Sequence, residues 1–156
     1  MLYWIFDLDN TLYQIPPNCD FSYNNLVQDD QLNYQLFMLP LKKIIFTNGT
    51  MGHANMCLKR MNIDDQFNKI IARDSINDLK PNNSAYLKFM NSCNIMPYDK
   101  CIFFDDLPEN LIEAKQFGWI TVLINKNRYV HEDIDFYFPN IYLALNYLIT
   151  KIHKNT

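Results

Sequence analysis

Two carboxylates, Asp7 and Asp9, follow directly on the apolar run Leu2-Tyr3-Trp4-Ile5-Phe6. Alternation along a strand sends both to one side if the backbone stays extended. Burying two acids together is costly unless something neutralises them. A hard divalent cation such as Mg²⁺ suits oxygen ligands of this kind; a strand ending in a solvated acidic turn is the plainer alternative. Two other apolar runs share the arrangement, and a lysine before a helix makes a fourth group. Ile44-Ile45-Phe46 is followed by Thr47-Asn48-Gly49, Lys80-Pro81 stands before a helical pattern, and Cys101-Ile102-Phe103-Phe104 ends in Asp105-Asp106. Each is loose by itself, and the four in this order are far more specific than any one.

These groups need a scaffold that brings strand ends together. Strands are predicted at about 2–6, 43–47, 68–72, 101–105 and 120–124, and helices at about 25–38, 51–61, 82–94, 108–117 and 140–153. Strand–helix alternation with apolar strands predicts an α/β fold, a three-layer Rossmann-like parallel sheet with helices on both faces. Such sheets bind ligands beyond the carboxyl ends of their strands, where the polar groups fall. Pro81 suits the first position of a helix. Asp106 could cap the helix at 108–117, and Gly118 suits the left-handed residue that closes it. Gly49 and Gly52, two of only three glycines, would let backbone approach a phosphate at a helix N-terminus. No GxGxxG or P-loop pattern is present, so nucleotide phosphates are not expected to be held that way.

The ordered set resembles the haloacid dehalogenase superfamily of phosphotransferases, from the first strand to about residue 125. The DxDx(T/V) motif matches Asp7, Asp9 and Thr11, the second motif matches Thr47, the lysine motif Lys80, and the acidic pair Asp105 and Asp106. The resemblance implies Mg²⁺-dependent cleavage of a phosphomonoester. Asp7 would be the nucleophile, forming an aspartyl-phosphate. Asp9 would be general acid and then base. Thr47 and Lys80 would bind phosphoryl oxygens, with Asn48 and Gly49 adding amide contacts and Thr11 completing the set. The metal would be held by the Asp7 carboxylate, the Asp9 backbone carbonyl and Asp105, with Asp106 either a second metal-shell carboxylate or the helix cap. Halide needs no proton to leave, so an acid at position 9 points to phosphate esters rather than haloacids.

In motif detail the chain looks like the pyrimidine 5′-nucleotidase branch, on Asp9-Asn10-Thr11-Leu12-Tyr13, Lys80-Pro81, and Phe104-Asp105-Asp106 with Asn110. Tyr13, Phe21 or Tyr23 would then stack on a base; packing of their own loop is the competing reading. Many relatives insert a cap domain after the first motif, whereas only residues 12–46 separate Thr11 from Thr47 here. The expectation is a single unit over 1–156, with a short flap and helix at 12–40 in place of a cap. An open site also suits a phosphoprotein or a nucleic-acid end, and a second copy in a homodimer could supply a lid. A mutase, a non-enzymatic phosphate-binding module and a structural interaction protein are the readings from other classes.

Composition narrows the rest. The length of 156 residues suits one domain, and the net charge of −3 with no basic run argues against nonspecific nucleic-acid binding. The first motif begins at Asp7, which leaves no room for a leader, and no apolar stretch reaches the span of a membrane helix, so a cytoplasmic enzyme is expected. Cys19, Cys57, Cys93 and Cys101 form no CxxC pair, and three of them lie in apolar patterns, which favours reduced, buried thiols. His53 lies near the second motif, either as surface or within reach of a substrate.

Overall fold

A computed structural model describes residues 1–17 and 20–154, with His153 described by its backbone alone. The strands are β1 (Leu2–Phe6), β2 (Lys42–Phe46), β3 (Lys69–Ile71), β4 (Lys100–Asp105), β5 (Ile120–Ile124) and β6 (Phe136–Phe138). The helices are α1 (Asp30–Phe37), α2 (Met51–Arg60), α3 (Arg73–Ile76), α4 (Asn83–Cys93), α5 (Pro108–Lys115) and α6 (Ile141–Lys154). All strand pairs are parallel and the order is β3-β2-β1-β4-β5-β6. The chain winds outward from β1 in one direction, then returns to β4 on its other side. That reversal opens a crevice beyond the carboxyl ends of β1 and β4, where open α/β sheets take their ligands.

Side-chain alternation divides the interior into two cores. Trp4 and Phe6 of β1 join Phe104, Val122 and Ile124 under α1, α2 and α6. Tyr3 and Ile5 join Phe46, Phe103 and Leu123 under α4 and α5. A strand buried on both faces must be apolar along its length, which is why β1 and β4 read as unbroken hydrophobic runs. Aromatic rings fill both layers: Phe6 stacks on Phe104 at 4.6 Å between centroids and Phe46 on Phe89 at 4.3 Å. The Trp119 ring meets Tyr86, Phe89 and Phe103 edge-on, each at 5.7 Å.

The strand and helix layout agrees with the sequence reading, with corrections at particular residues. The first helix starts at Asp30 rather than near 25, because the Asp29 side chain accepts from Leu32 N at 2.9 Å and caps it there. Residues Tyr23–Asn25 form a separate 3₁₀ turn. Pro81 is not the first helical residue: α4 begins at Asn83, and the Lys80–Pro81 bond is cis. Asp106 does not cap α5; Leu107 occupies the N-cap position, and its amide donates to Asp105 Oδ1 at 2.9 Å. Pro108, not Pro81, fills a first-turn position. Gly118 has φ +74°, as expected of a closing residue. α3 and β6 went unread, being four and three residues long with no fully buried residue. Cys57, Cys93 and Cys101 are buried free thiols, and Cys19 lies outside the described residues. Among the described residues no helix is long and apolar enough to cross a membrane.

The 12–40 segment contributes α1 to the same layer as α6. Leu32 and Leu36 enter the core, and Gln35 Nε2 donates to the Tyr142 carbonyl at 3.0 Å.

Candidate active site

Asp7 and Asp105 stand at the carboxyl ends of neighbouring central strands, and Lys80 lies between them. Lys80 Nζ donates to Asp105 Oδ2 at 2.7 Å, to the Phe46 carbonyl at 2.8 Å and to Asp7 Oδ1 at 3.0 Å. Its three protons are thus directed at three acceptors, and the ammonium also lies 5.1 Å from the ring centroids of Phe46 and Phe103. Burial works against the charge, yet Asp105 and Asp7 hold the ammonium above its ordinary range. Asn48 places the lysine: its Oδ1 accepts from Lys80 N at 2.8 Å and its Nδ2 donates to Lys80 O at 2.9 Å.

The two acids of the pair at 105–106 differ. Asp105 is fully buried, and its oxygens accept from Lys80, from Leu107 N and from Asn110 Nδ2 at 3.1 Å. Asp106 lines the cleft and accepts from Thr11 Oγ1 at 3.4 Å, the same hydroxyl lying 3.1 Å from Asp7 Oδ2. Ligand oxygens of Asp7, Asp105 and Asp106 all come within 4.8 Å of one another. Burial first, then repulsion from a neighbouring acid, pushes each carboxyl up to about 6, with Lys80 pulling the other way. Three carboxylates against one ammonium leave an excess of negative charge that a hard divalent cation would balance. The donor set therefore fits Mg²⁺.

The cleft over these groups has a volume of about 250 Å³ and is also lined by Asp9, Asn10, Thr47, Gly49, Leu107 and Asn110. Thr47 Oγ1 accepts from Gly49 N at 3.0 Å, and Asn110 Oδ1 is buried without a partner among the described residues. Gly49 is needed for close approach: a Cβ there would lie 2.9 Å from His53 Cδ2 and 3.3 Å from Thr47 Oγ1. Gly52 has nothing within 4 Å of an added Cβ, so no close approach requires it.

Asp9 sits at the side of the cleft in a cluster of its own. His53 Nε2 lies 2.8 Å from Asp9 Oδ1 and 3.1 Å from Oδ2, and the Tyr13 hydroxyl donates to Oδ1. Burial and the adjoining carboxylate raise the Tyr13 hydroxyl far above its ordinary value, so it stays a donor. Tyr13 is buried and packs against Phe21 and Tyr23, and Tyr23 meets the His53 ring edge-on at 4.5 Å. The loop-packing reading of these aromatics is the one the geometry supports. The sequence reading missed the pairing of Tyr13 and His53 with Asp9. The spacing of Asp9 and Tyr13, four residues apart, is the one local signal for Tyr13, and none points from His53 to Asp9.

The sequence motifs of the four groups thus converge on one crevice. A model for haloacid dehalogenase-like hydrolases matches residues 31–124, from α1 to the end of β5. The L-2-haloacid dehalogenase of Xanthobacter autotrophicus with chloropropionic acid covalently bound superposes with a TM-score of 0.67 at 18% identity, over 84% of this chain and 63% of that one. A HAD phosphatase from Thermococcus onnurineus gives 0.62 at 24% identity, over 77% and 57%. A HAD-superfamily hydrolase from Ehrlichia chaffeensis gives 0.66 at 16% identity and covers 96% of both chains. The chain thus spans less than two thirds of the length of the first two. With the family match extending over more than half of the residues, the chain belongs to the haloacid dehalogenase-like hydrolases.

Proposed function

We propose that this hydrolase cleaves phosphomonoesters with Mg²⁺, through an aspartyl-phosphate on Asp7. The observation that carries the reading is the acid at position 9, lining the cleft beside Asp7 and braced by Tyr13 and His53. An alkoxide leaving group needs a proton and a halide does not, so a braced acid has work in a phosphatase and none in a dehalogenase.

In this reading an Asp7 oxygen attacks phosphorus as the ester P–O bond breaks, and Asp9 delivers its proton to the departing oxygen. Asp9 then accepts a proton from the water that hydrolyses the aspartyl-phosphate. Thr47 and the Gly49 backbone bind phosphoryl oxygens. Lys80 joins them by exchanging one of its present acceptors, and Thr11 steadies Asp7. The Asp7 and Asp106 carboxylates and the Asp9 carbonyl would hold the metal, with Asp105 anchoring Lys80 behind them. Mg²⁺ bound there supplies positive charge that offsets repulsion between the anionic nucleophile and the phosphate.

Nucleoside monophosphates lead the substrate classes on the motif resemblance. Tyr13 is committed to Asp9, and Phe21 and Tyr23 pack against it, so base stacking would fall to another copy of the chain. The placement of α1 in the α6 layer supports a site with a minimal cap, which also admits a phosphoprotein or nucleic-acid end.

Phosphate release with Mg²⁺ across pyrimidine and purine 5′- and 3′-monophosphates, a phosphopeptide, a 3′-phosphorylated oligonucleotide and an aryl phosphate tests the proposal, with Asp7→Asn as control. Asp7-dependent turnover supports it, and the preferred substrate identifies the class. Complete absence of such turnover would favour a phosphate-binding module.

A further inference from the structure

We propose that His53, with Tyr13, is a positioning residue for the proton-transferring step: it fixes Asp9 Oδ1 so that Oδ2 delivers its proton to the leaving oxygen. This rests on the phosphatase reading above.

Three independent features place the imidazole. Thr50 Oγ1 accepts from His53 N at 3.2 Å, capping α2 and setting its first turn beside the second motif. Gly49 leaves room for the ring, since a Cβ there would crowd His53 Cδ2 at 2.9 Å. Tyr23 packs edge-on against the ring at 4.5 Å. The ring sits with Nε2 closer to Asp9 Oδ1 than to Oδ2, at 2.8 and 3.1 Å, while Tyr13 addresses Oδ1 as well. Oδ2 is the oxygen nearer to Gly49, 3.8 Å from where a Cβ would stand, and so faces the cleft that Gly49 and Thr47 line.

The proton balance follows. Asp9 enters the step protonated on Oδ2. As the P–O bond breaks, that proton passes to the leaving oxygen, and Asp9 becomes a carboxylate. With its proton on Nε2, His53 donates to Oδ1 beside the Tyr13 hydroxyl, and the two stabilise the new charge without reorganisation. Cys57 Sγ lies 3.7 Å from Nε2 and 3.8 Å from Nδ1, against the ring rather than beyond either nitrogen. Neither His53 nor Tyr13 is among the residues lining the cleft, whereas Asp9 is, so their effect reaches the reaction through Asp9.

The test is leaving-group dependence in the Mg²⁺-loaded enzyme. A residue acting through the general acid matters for a poor leaving group and hardly for one that departs unaided. The comparison is kcat/KM for phenyl phosphate and para-nitrophenyl phosphate in wild type, His53→Leu and His53→Gln. This parameter reports formation of the aspartyl-phosphate and excludes its later hydrolysis. His53→Leu should lower the phenyl phosphate value about 100-fold and the para-nitrophenyl value less than about threefold, given what general acids contribute. His53→Gln, whose Nε2 can donate to Oδ1, should recover most of the loss. Equal losses on both substrates, no loss on either, or a glutamine variant no better than leucine would overturn the assignment while leaving the phosphatase reading intact. Absence of Asp7-dependent turnover in wild type would overturn both.

Discussion

Asp7, Lys80 and Asp105 form a unit in which each charge depends on the others. Lys80 is the only ammonium contacting the two buried carboxylates among the described residues. Its removal strands uncompensated charge, so Lys80→Ala should cost about 3–5 kcal/mol in urea unfolding and abolish turnover as well. Asp7→Asn should retain the fold by circular dichroism and lose at least about 1,000-fold in phosphate release. Acidity provides a separate check. The carboxyls of Asp7, Asp105 and Asp106 stand near 6, above their ordinary range, because burial disfavours the charged form. The native metal-free protein therefore binds more protons than the unfolded chain between about pH 4 and 6. That stabilisation is full below the unfolded value and is lost as pH rises through about 6. With EDTA, the urea midpoint should be higher near pH 5 than near pH 7. Mg²⁺ should raise the pH 7 value, and Asp106→Asn should flatten the slope.

Helix α2 links the second motif to Asp9. Its N-cap is Thr50, and Lys59 and Arg60 sit in its last turn, where positive charge is favoured by the negative end of the helix dipole. Thr50→Ala should cost about 1 kcal/mol in thermal or urea unfolding, a usual loss for an N-cap. The same variant should weaken turnover of poor leaving groups more than good ones, because the cap sets the turn that carries His53. Most of this element was legible: the helix expected at about 51–61 is found at Met51–Arg60, though its Thr50 cap went unread. The α1 boundary was misread because residues 25–29, Asn-Leu-Val-Gln-Asp, mix polar and apolar side chains compatible with either a turn or a helix. Only the Asp29 contact to Leu32 N decides between them. β6 escaped notice because a three-residue, half-buried edge strand has no period to read.

The sheet order determines where the molecule is firmest. β1 and β4 are central and covered on both faces, while β6 is an edge strand of half-buried residues. Native-state hydrogen exchange should show β1 and β4 amides opening only with global unfolding, and β6 amides exchanging through local opening with a smaller free energy. Comparable protection in β6 and β1 would contradict this account. The centre also carries the site: Asp7 and Asp105 stand at the ends of its two central strands, which limits drift of the nucleophile relative to Lys80.

By itself the sequence determined the element types, the parallel α/β class and the identity of the groups at the strand ends. Those depend on local properties: hydrophobic period, run length, and polar residues that interrupt an apolar strand. Tertiary structure alone decided how the groups are shared out. Asp105 and Asp106 are adjacent and chemically identical, yet one is locked behind Lys80 and the other lines the cleft. Asn48 holds the Lys80 backbone across 32 residues, and His53 meets Asp9 across 44. Such contacts come from strand register and helix packing, which sum many weak long-range interactions, and no local pattern in the chain encodes them.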